Sequence, residues 1–334
     1  MSRSTAIPDT GFVCGLDTLC GREIATAGSK GAMIGGLMSA GLPVPAGFVV
    51  DTAAYRAFIA ETGIREQIAD RLRQTDLGDP GARRQAAADI NVLMTAAPLP
   101  AVVHAAIVDA YGSLSGFARS ATVAVRSSPA RGDTASHLLS QMNETFLCIR
   151  GRDAVLRAVR RCWASAYGER SLGVREQLGL AHTELDMAVI VQNQISATRS
   201  GLMATGDPGH GDADRISIQA SYGLGQAPAS GRGTQDRYVV DKQSLNVLTR
   251  EINRKEVVVD EAPPEGGTRT RAVSGEQVTR PAMLDRELRI LAGLGTAVED
   301  RLRAPQVIEW AIDRHGHAWI LQSSPLSFVP RPRS

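Results

Sequence analysis

The chain has 334 residues, 43% hydrophobic and 22% charged, enough for roughly two domains and for a core that needs no disulfide staples. Its 37 basic and 35 acidic residues leave a formal charge of +2, so no polyanion-binding field points to nucleic acid. No run approaches the roughly 18 consecutive apolar residues of a membrane helix, and no membrane partner is expected. The four cysteines, Cys14, Cys20, Cys148 and Cys162, form no CxxC pair, and Met1 to Thr10 lacks the apolar run of a secretory signal. A cytoplasmic protein with reduced thiols is the expectation.

Residues 1–11 read as a disordered or extended N-terminus. From Asp51 to about Gly116 the periodicity is helical, over Ala53 to Thr62, Ile64 to Leu72, Ala82 to Met94 and Ala101 to Leu114 after Pro100. Thr122-Val-Ala-Val-Arg126 is too short and too β-branched for a helix, and reads as a buried strand with Arg126 at its end. One long helix is predicted from about Asp153 to Leu178, then a buried strand over Met187 to Val191. From Ile195 to Val240 strands alternate with Gly-rich turns, at Gly201 to Ala204, Arg215 to Ala220 and Arg237 to Val240. Residues 260–276, rich in Pro and Gly, read as an exposed loop. A helix from about Leu284 to Leu302 leads to a closing hairpin, Gln306 to Asp313 and His317 to Leu321, turned by Arg314-His-Gly. Helix-rich α/β gives way to strand-rich α+β near residue 195. The expected lobes are therefore 12–194 and 195–328, with the hairpin at 306–322 and a tail at 329–334.

Three of the 37 basic residues are lysines, Lys30, Lys242 and Lys255, and the rest are arginines. A lysine that persists in such a composition either marks a place needing a compact ammonium or is a leftover. Lys30 sits in Gly28-Ser-Lys-Gly-Ala-Met-Ile-Gly35. A Gly-flanked lysine opening a helix can place its ammonium and the helix N-terminal amides on a phosphate. The GxxxxGK[ST] spacing of a Walker A loop is missing, and taken alone the segment reads equally as a helix-entry turn with a solvated lysine. Arg126, in Val123-Ala-Val-Arg126-Ser-Ser128, could fork onto phosphate oxygens. Ser221-Tyr-Gly-Leu-Gly225 is permissive enough for close backbone approach. Glu309 and Gln322, on adjacent strands of the closing hairpin, offer two oxygen ligands for magnesium if they share a face.

In this order the segments GSKGAMIGGLMSAGLPVPAGFVV, VAVRSS, NETFLCIRG, AVRRCWASAYGERS, AVIVQNQI, SGLMATGDP, ASYGLGQ, DRYVVDK, PQVIEWAI and ILQSSPL cover about residues 12–328. They resemble the N-terminal nucleotide-binding domain of the phosphoenolpyruvate synthase, pyruvate phosphate dikinase and rifampicin phosphotransferase group. The resemblance implies a two-lobed ATP-grasp fold, α/β and α+β, gripping ATP with Mg2+. Carried over by position, Lys30 and Arg126 would contact the phosphates as catalytic groups. Val191, Gln192, Asn193, Gln194 and Ile195 would lie along the adenine edge, Gly223 and Gly225 would back the nucleotide, and Glu309 and Gln322 would hold the magnesium.

The chain also departs from the family pattern. A glycine-bearing phosphate loop of the type SFAGQ is replaced by Leu138-Leu-Ser-Gln-Met142. Where the family reads DIE and LQxRP, this chain has Val307 for the aspartate and Ser324 for the arginine, and GLGE becomes GLGQ at Gln226. No histidine stands in a phosphohistidine motif, and the family's mobile histidine domain is not expected in this chain. His315 and His317 are expected to be solvated. The expected function is an ATP-dependent, phosphoenolpyruvate synthase-like phosphotransferase. Its acceptor would be a small molecule of specialised metabolism, reached directly or through a separate histidine-carrying protein. The alternative is a degenerate ATP-grasp domain repurposed as a non-kinase enzyme or binding module for a small metabolite.

Overall fold

The computed structural model describes residues 7, 9–116, 120–130, 144–182, 185–206, 213–224, 234–262 and 266–326. The expectations for Leu138 to Met142, Gly225, Gln226, residues 329–334 and most of residues 1–11 lie outside them. The chain divides into two compact units, Met1–Gly36 with Ala46–Gln194, and Leu37–Pro45 with Ile195–Ser334.

The first unit holds a five-stranded sheet of β1 (Val13–Gly15), β2 (Gly47–Val50), β3 (Thr122–Pro129), β4 (Thr145–Arg150) and β5 (Met187–Asn193), in the order β1-β2-β5-β3-β4. Every neighbouring pair is antiparallel. Strand β5 is central and buried from Met187 to Gln192, which explains its unbroken apolar run. Four helices lie between β2 and β3 along the chain, after α1 (Ile24–Ser39): α2 (Thr52–Glu61), α3 (Ile64–Arg73), α4 (Pro80–Ala96) and α5 (Ala101–Ser115). Asp51 caps α2 by accepting from the Ala54 amide, and Asp79 caps α4 ahead of Pro80 by accepting from the Ala82 amide. Ile64, Ile68 and Leu72 put one face of α3 into the core.

The single helix expected over Asp153 to Leu178 is two, α6 (Arg152–Ser165) and α7 (Glu169–Gln177). Gly168 is extended between them, and Tyr167 turns inward so that its hydroxyl meets that of Tyr55 at 3.1 Å. Beside that contact Trp163 stacks on Phe58 and meets Tyr55 edge-on, while its indole N–H donates to the Met187 carbonyl. The aromatic cluster thereby ties α2 and α6 to β5.

The second unit is a six-stranded antiparallel sheet with the order β13-β12-β6-β7-β8-β9. Its strands are β6 (Ala197–Ala204), β7 (Arg215–Tyr222), β8 (Asp236–Asp241), β9 (Val247–Glu251), β12 (Gln306–Asp313) and β13 (Ala318–Pro325). Helix α8 (Asp285–Leu302) buries Leu288, Leu291, Ala292 and Val298. The loop expected over residues 260–276 is in large part a hairpin instead, β10 (Val257–Glu261) paired with β11 (Thr268–Ala272). Its β-branched residues pair across strands, Val258 with Arg271 and Val259 with Thr270. Strand β11 is exposed along its length, which is why its polar sequence resembles a loop.

Candidate functional site

The lysine turn is built from the chain itself outward. Glu23 precedes α1 (Ile24–Ser39), and its carboxylate accepts from the amides of Cys20, Gly21 and Arg22 and from the Cys20 thiol. The thiol hydrogen bond leads, and with the amides it holds the Glu23 carboxyl at about 2, well below the usual range. One turn later Gly28 breaks the helix, at φ 70° and ψ 169°. A side chain there would run into the Ser128 carbonyl as well as straining the backbone, so this position requires glycine.

A side chain from β3 bridges the kink. The Ser128 hydroxyl accepts from Gly31 N–H at 3.0 Å and donates to the Ala27 carbonyl at 2.8 Å. The helix is thus stitched across its kink by β3. Lys30 stands in the first turn after the kink. Arg126, 5% exposed, precedes Ser128 by two residues on β3 and therefore shares its face of the sheet. Ser127 takes the opposite face, where its hydroxyl donates to the Glu144 carbonyl. Burial pushes the Cys162 thiol far up, Glu144 adds to the rise and Lys30 opposes it, so the ammonium and this carboxylate both act on the same stretch of α6. Arg126 is not the strand end the sequence suggested, because β3 continues through Pro129 on its ladder with β5.

The expected adenine segment straddles the end of β5. Gln192 pairs with Gly47 on one side and Ala124 on the other, and Val191 with Phe48 and Val125, so their backbones are committed to the sheet. Asn193 N–H donates to the Ala46 carbonyl and Gln194 N–H to the Thr122 carbonyl. Ile195 begins the second unit's run, its carbonyl accepting from Ala197 N–H. Of the five residues, Gln194 and Ile195 lie beyond the strand.

In the second unit, Gly223 adopts φ 70°. Its amide donates to the Thr198 carbonyl at 2.9 Å, its carbonyl accepts from the Ser200 hydroxyl at 2.6 Å, and the next amide, of Leu224, donates to the Val259 carbonyl at 2.8 Å. On the hairpin, Glu309 is the direct cross-strand partner of Gln322, which puts the two side chains on one face. Two residues away on that face, Val307 is the direct partner of Ser324. The two departures from the family pattern therefore occupy a single register position. No cluster of three or more His, Cys, Asp or Glu side chains suited to a metal occurs among the described residues. One carboxylate and one amide oxygen are a donor set of the kind that suits Mg2+ when substrate phosphates and water supply its other ligands.

His315 and His317 flank the hairpin turn, and the His317 side chain is 71% exposed beside Asp313. Partial burial raises the Asp313 carboxyl, but donation from Trp319 Nε1 and from the His317 and His315 amides outweighs it and holds the group at about 2. No single helix among the described residues is long and apolar enough to cross a membrane. The four cysteines are free thiols, and burial with nearby carboxylates raises that of Cys14 to about 12.

Lys255 is fully buried and ion-paired to Asp236, also fully buried, at 2.6 Å. Lys242 is 15% exposed and forks onto both carboxylate oxygens of Glu299 at 2.9 Å. The scarcity of lysine was a signal for Lys255 as much as for Lys30, but nothing local to Arg254-Lys-Glu indicated burial.

The two units make a chain of mixed helix and sheet. Residues 24–333 match the family "pyruvate phosphate dikinase, AMP/ATP-binding domain", and the chain belongs to that family. Among its relatives are a probable phosphoenolpyruvate synthase of Methanocaldococcus jannaschii, 34% identical over 96% of this chain and 27% of that protein, and one of Methanothermobacter thermautotrophicus, 34% identical over 95% and 46%. A rifampicin phosphotransferase of a Streptomyces species is 34% identical over 91% of this chain and 34% of its own length. The chain spans less than half the length of each of these relatives.

Proposed function

We propose that the chain binds ATP and serves as the phosphoryl-donating part of a phosphotransferase. In this reading the phosphoryl group passes to a small-molecule acceptor, directly or through a histidine carried on a separate protein. The observation that carries the reading is the Ser128 stitch, which fixes the helix turn bearing Lys30 onto the strand bearing Arg126. Two cations held in this way suit a triphosphate, whose transfer depends on charge neutralisation and positioning more than on covalent chemistry. Gln194 and Ile195 are proposed for the adenine edge, with Gly223 allowing close approach of backbone to the nucleotide. Glu309 and Gln322 are proposed to hold Mg2+, which when bound neutralises charge on the phosphate oxygens.

Calorimetric titration with ATP and magnesium tests this reading. Lys30→Ala is expected to weaken binding at least about tenfold, the loss of roughly one charge-assisted phosphate contact. Absence of binding by the unaltered chain would overturn it.

A second reading is favoured by the Val307–Ser324 pair, a neutral couple where the family pattern has an aspartate and an arginine. In it the nucleotide site has been turned to another small metabolite, and no phosphoryl transfer occurs. Turnover of candidate substrates at one rate with and without ATP would select it.

A further inference from the structure

The buried Lys255–Asp236 pair is the hub of four segments of the second unit. Asp236 Oδ1 accepts from Lys255 Nζ at 2.6 Å and from Asn253 N–H at 2.9 Å. Its Oδ2 accepts from Ala282 N–H at 2.7 Å and from the Tyr238 hydroxyl at 3.1 Å. Lys255 Nζ donates again to the Asn253 carbonyl at 2.8 Å and lies 5.8 Å from the centre of the Tyr222 ring. Asp236 is therefore supplied with four donors, as a carboxylate kept from water requires. A guanidinium would be larger and planar, which accounts for lysine here in a chain that otherwise uses arginine.

The hub reaches the Tyr222-Gly223-Leu224 turn by two routes. Through the ring, Tyr222 sits by the ammonium and donates its hydroxyl to the Arg280 carbonyl, two residues before the Ala282 amide held by Asp236. Through the backbone, Lys255 N–H donates to the Val278 carbonyl at the entry to β10, and Val259 of β10 bridges Gly223 and accepts from Leu224 N–H. Strand β10 belongs to a two-stranded hairpin, so its placement against the turn depends on what anchors the residues leading into it.

We infer that Lys255 and Asp236 are positioning residues that set the Tyr222-Gly223-Leu224 turn for nucleotide, an inference that rests on the ATP-binding reading above. Neither touches the ligand; both act through Tyr222 and β10.

The test uses the full chain with Lys255→Met/Asp236→Asn, which removes both charges so that neither is left buried alone. Melting temperature, ATP·Mg affinity by calorimetry, and hydrogen exchange of the Gly223 and Leu224 amides are read together. The double variant is expected to melt within about 5 °C of the parent, to bind ATP about tenfold more weakly and to exchange both amides at least about tenfold faster. Unchanged affinity in the folded double variant, with both amides still protected, would overturn the inference. So would a lowered melting temperature with unchanged affinity, which is what a purely structural pair produces. If the double variant fails to fold, Lys255→Arg, which keeps the charge but adds bulk in a filled slot, is read by the same three measurements. If the parent itself binds no ATP, the functional reading fails, and amide exchange in the variant alone decides whether the pair sets the turn.

Discussion

Three lysines in this chain occupy three chemical environments. Lys255 is sealed and paired, Lys242 is held by Glu299, and Lys30 stands partly exposed in the first turn after the Gly28 break. An ATP derivative carrying a lysine-reactive acyl phosphate is therefore expected to label Lys30 above the other two, with unlabelled ATP suppressing it. Peptide mass spectrometry reads the site, and labelling of Lys242 with none at Lys30 would count against Lys30 as a phosphate contact. Glu23 gives a second residue-level prediction. Its folded carboxyl lies near 2 against an ordinary value of 4.5, so its stabilising contribution is complete above about pH 4.5 and disappears as pH falls toward 2. Urea unfolding across pH 2 to 6 should show Glu23→Gln less stable than the parent at pH 6, with the gap closing at the acid end. A gap constant with pH would mean that the carboxylate's charge plays no part.

Along single elements the sequence was most legible where a pattern is local. The helical stripes of α2 to α5, the apolar run of β5 and the turn at Arg314-His-Gly follow from periodicity, capping and turn chemistry, which depend on neighbours in the chain. Strands β1, β2 and β4 carry no comparable signal, being short or, in β4, distorted by Cys148 at φ 57°. The break between α6 and α7 was hidden because Tyr167 and Gly168 interrupt a periodicity that resumes at Glu169. Register belongs to this scale too. Pairing of Val307 with Ser324 means that Val307→Asp/Ser324→Arg would place opposite charges directly across two strands. That variant is expected to unfold within about 1 kcal/mol of the parent. On the phosphotransferase reading it should speed ATP-dependent turnover by at least about tenfold, since one well-placed arginine can contribute far more. No gain in a variant that folds and binds ATP would favour the second reading.

At the scale of the whole molecule, the two units have separate sheets and separate polar anchors. In the first, Ser128 joins residues about a hundred positions apart; in the second, Asp236 gathers residues from 238 to 282. Lys255→Met alone leaves the Asp236 carboxylate buried against three remaining donors, and breaking one side of such a pair typically costs about 3–5 kcal/mol. Guanidinium unfolding followed by hydrogen exchange should place that loss in residues 195–326 and spare the amides of β5. A loss below about 1 kcal/mol would mean that water reaches the site in the variant. Adding Asp236→Asn should recover part of the loss, because the stranded charge is removed with its partner.

By itself the sequence determined the mixed helix-and-sheet class, helices α2 to α5, the presence of the closing hairpin and, through its ordered motifs, the family. These rest on periodicity and short-range chemistry, which are written into consecutive residues. Only the tertiary structure decided that Ser128 bridges the kink at Gly28, that Val307 and Ser324 face one another, and that Lys255 is buried on Asp236. Each depends on which distant segment supplies the missing hydrogen bond or charge, and that choice is made when the backbone is packed.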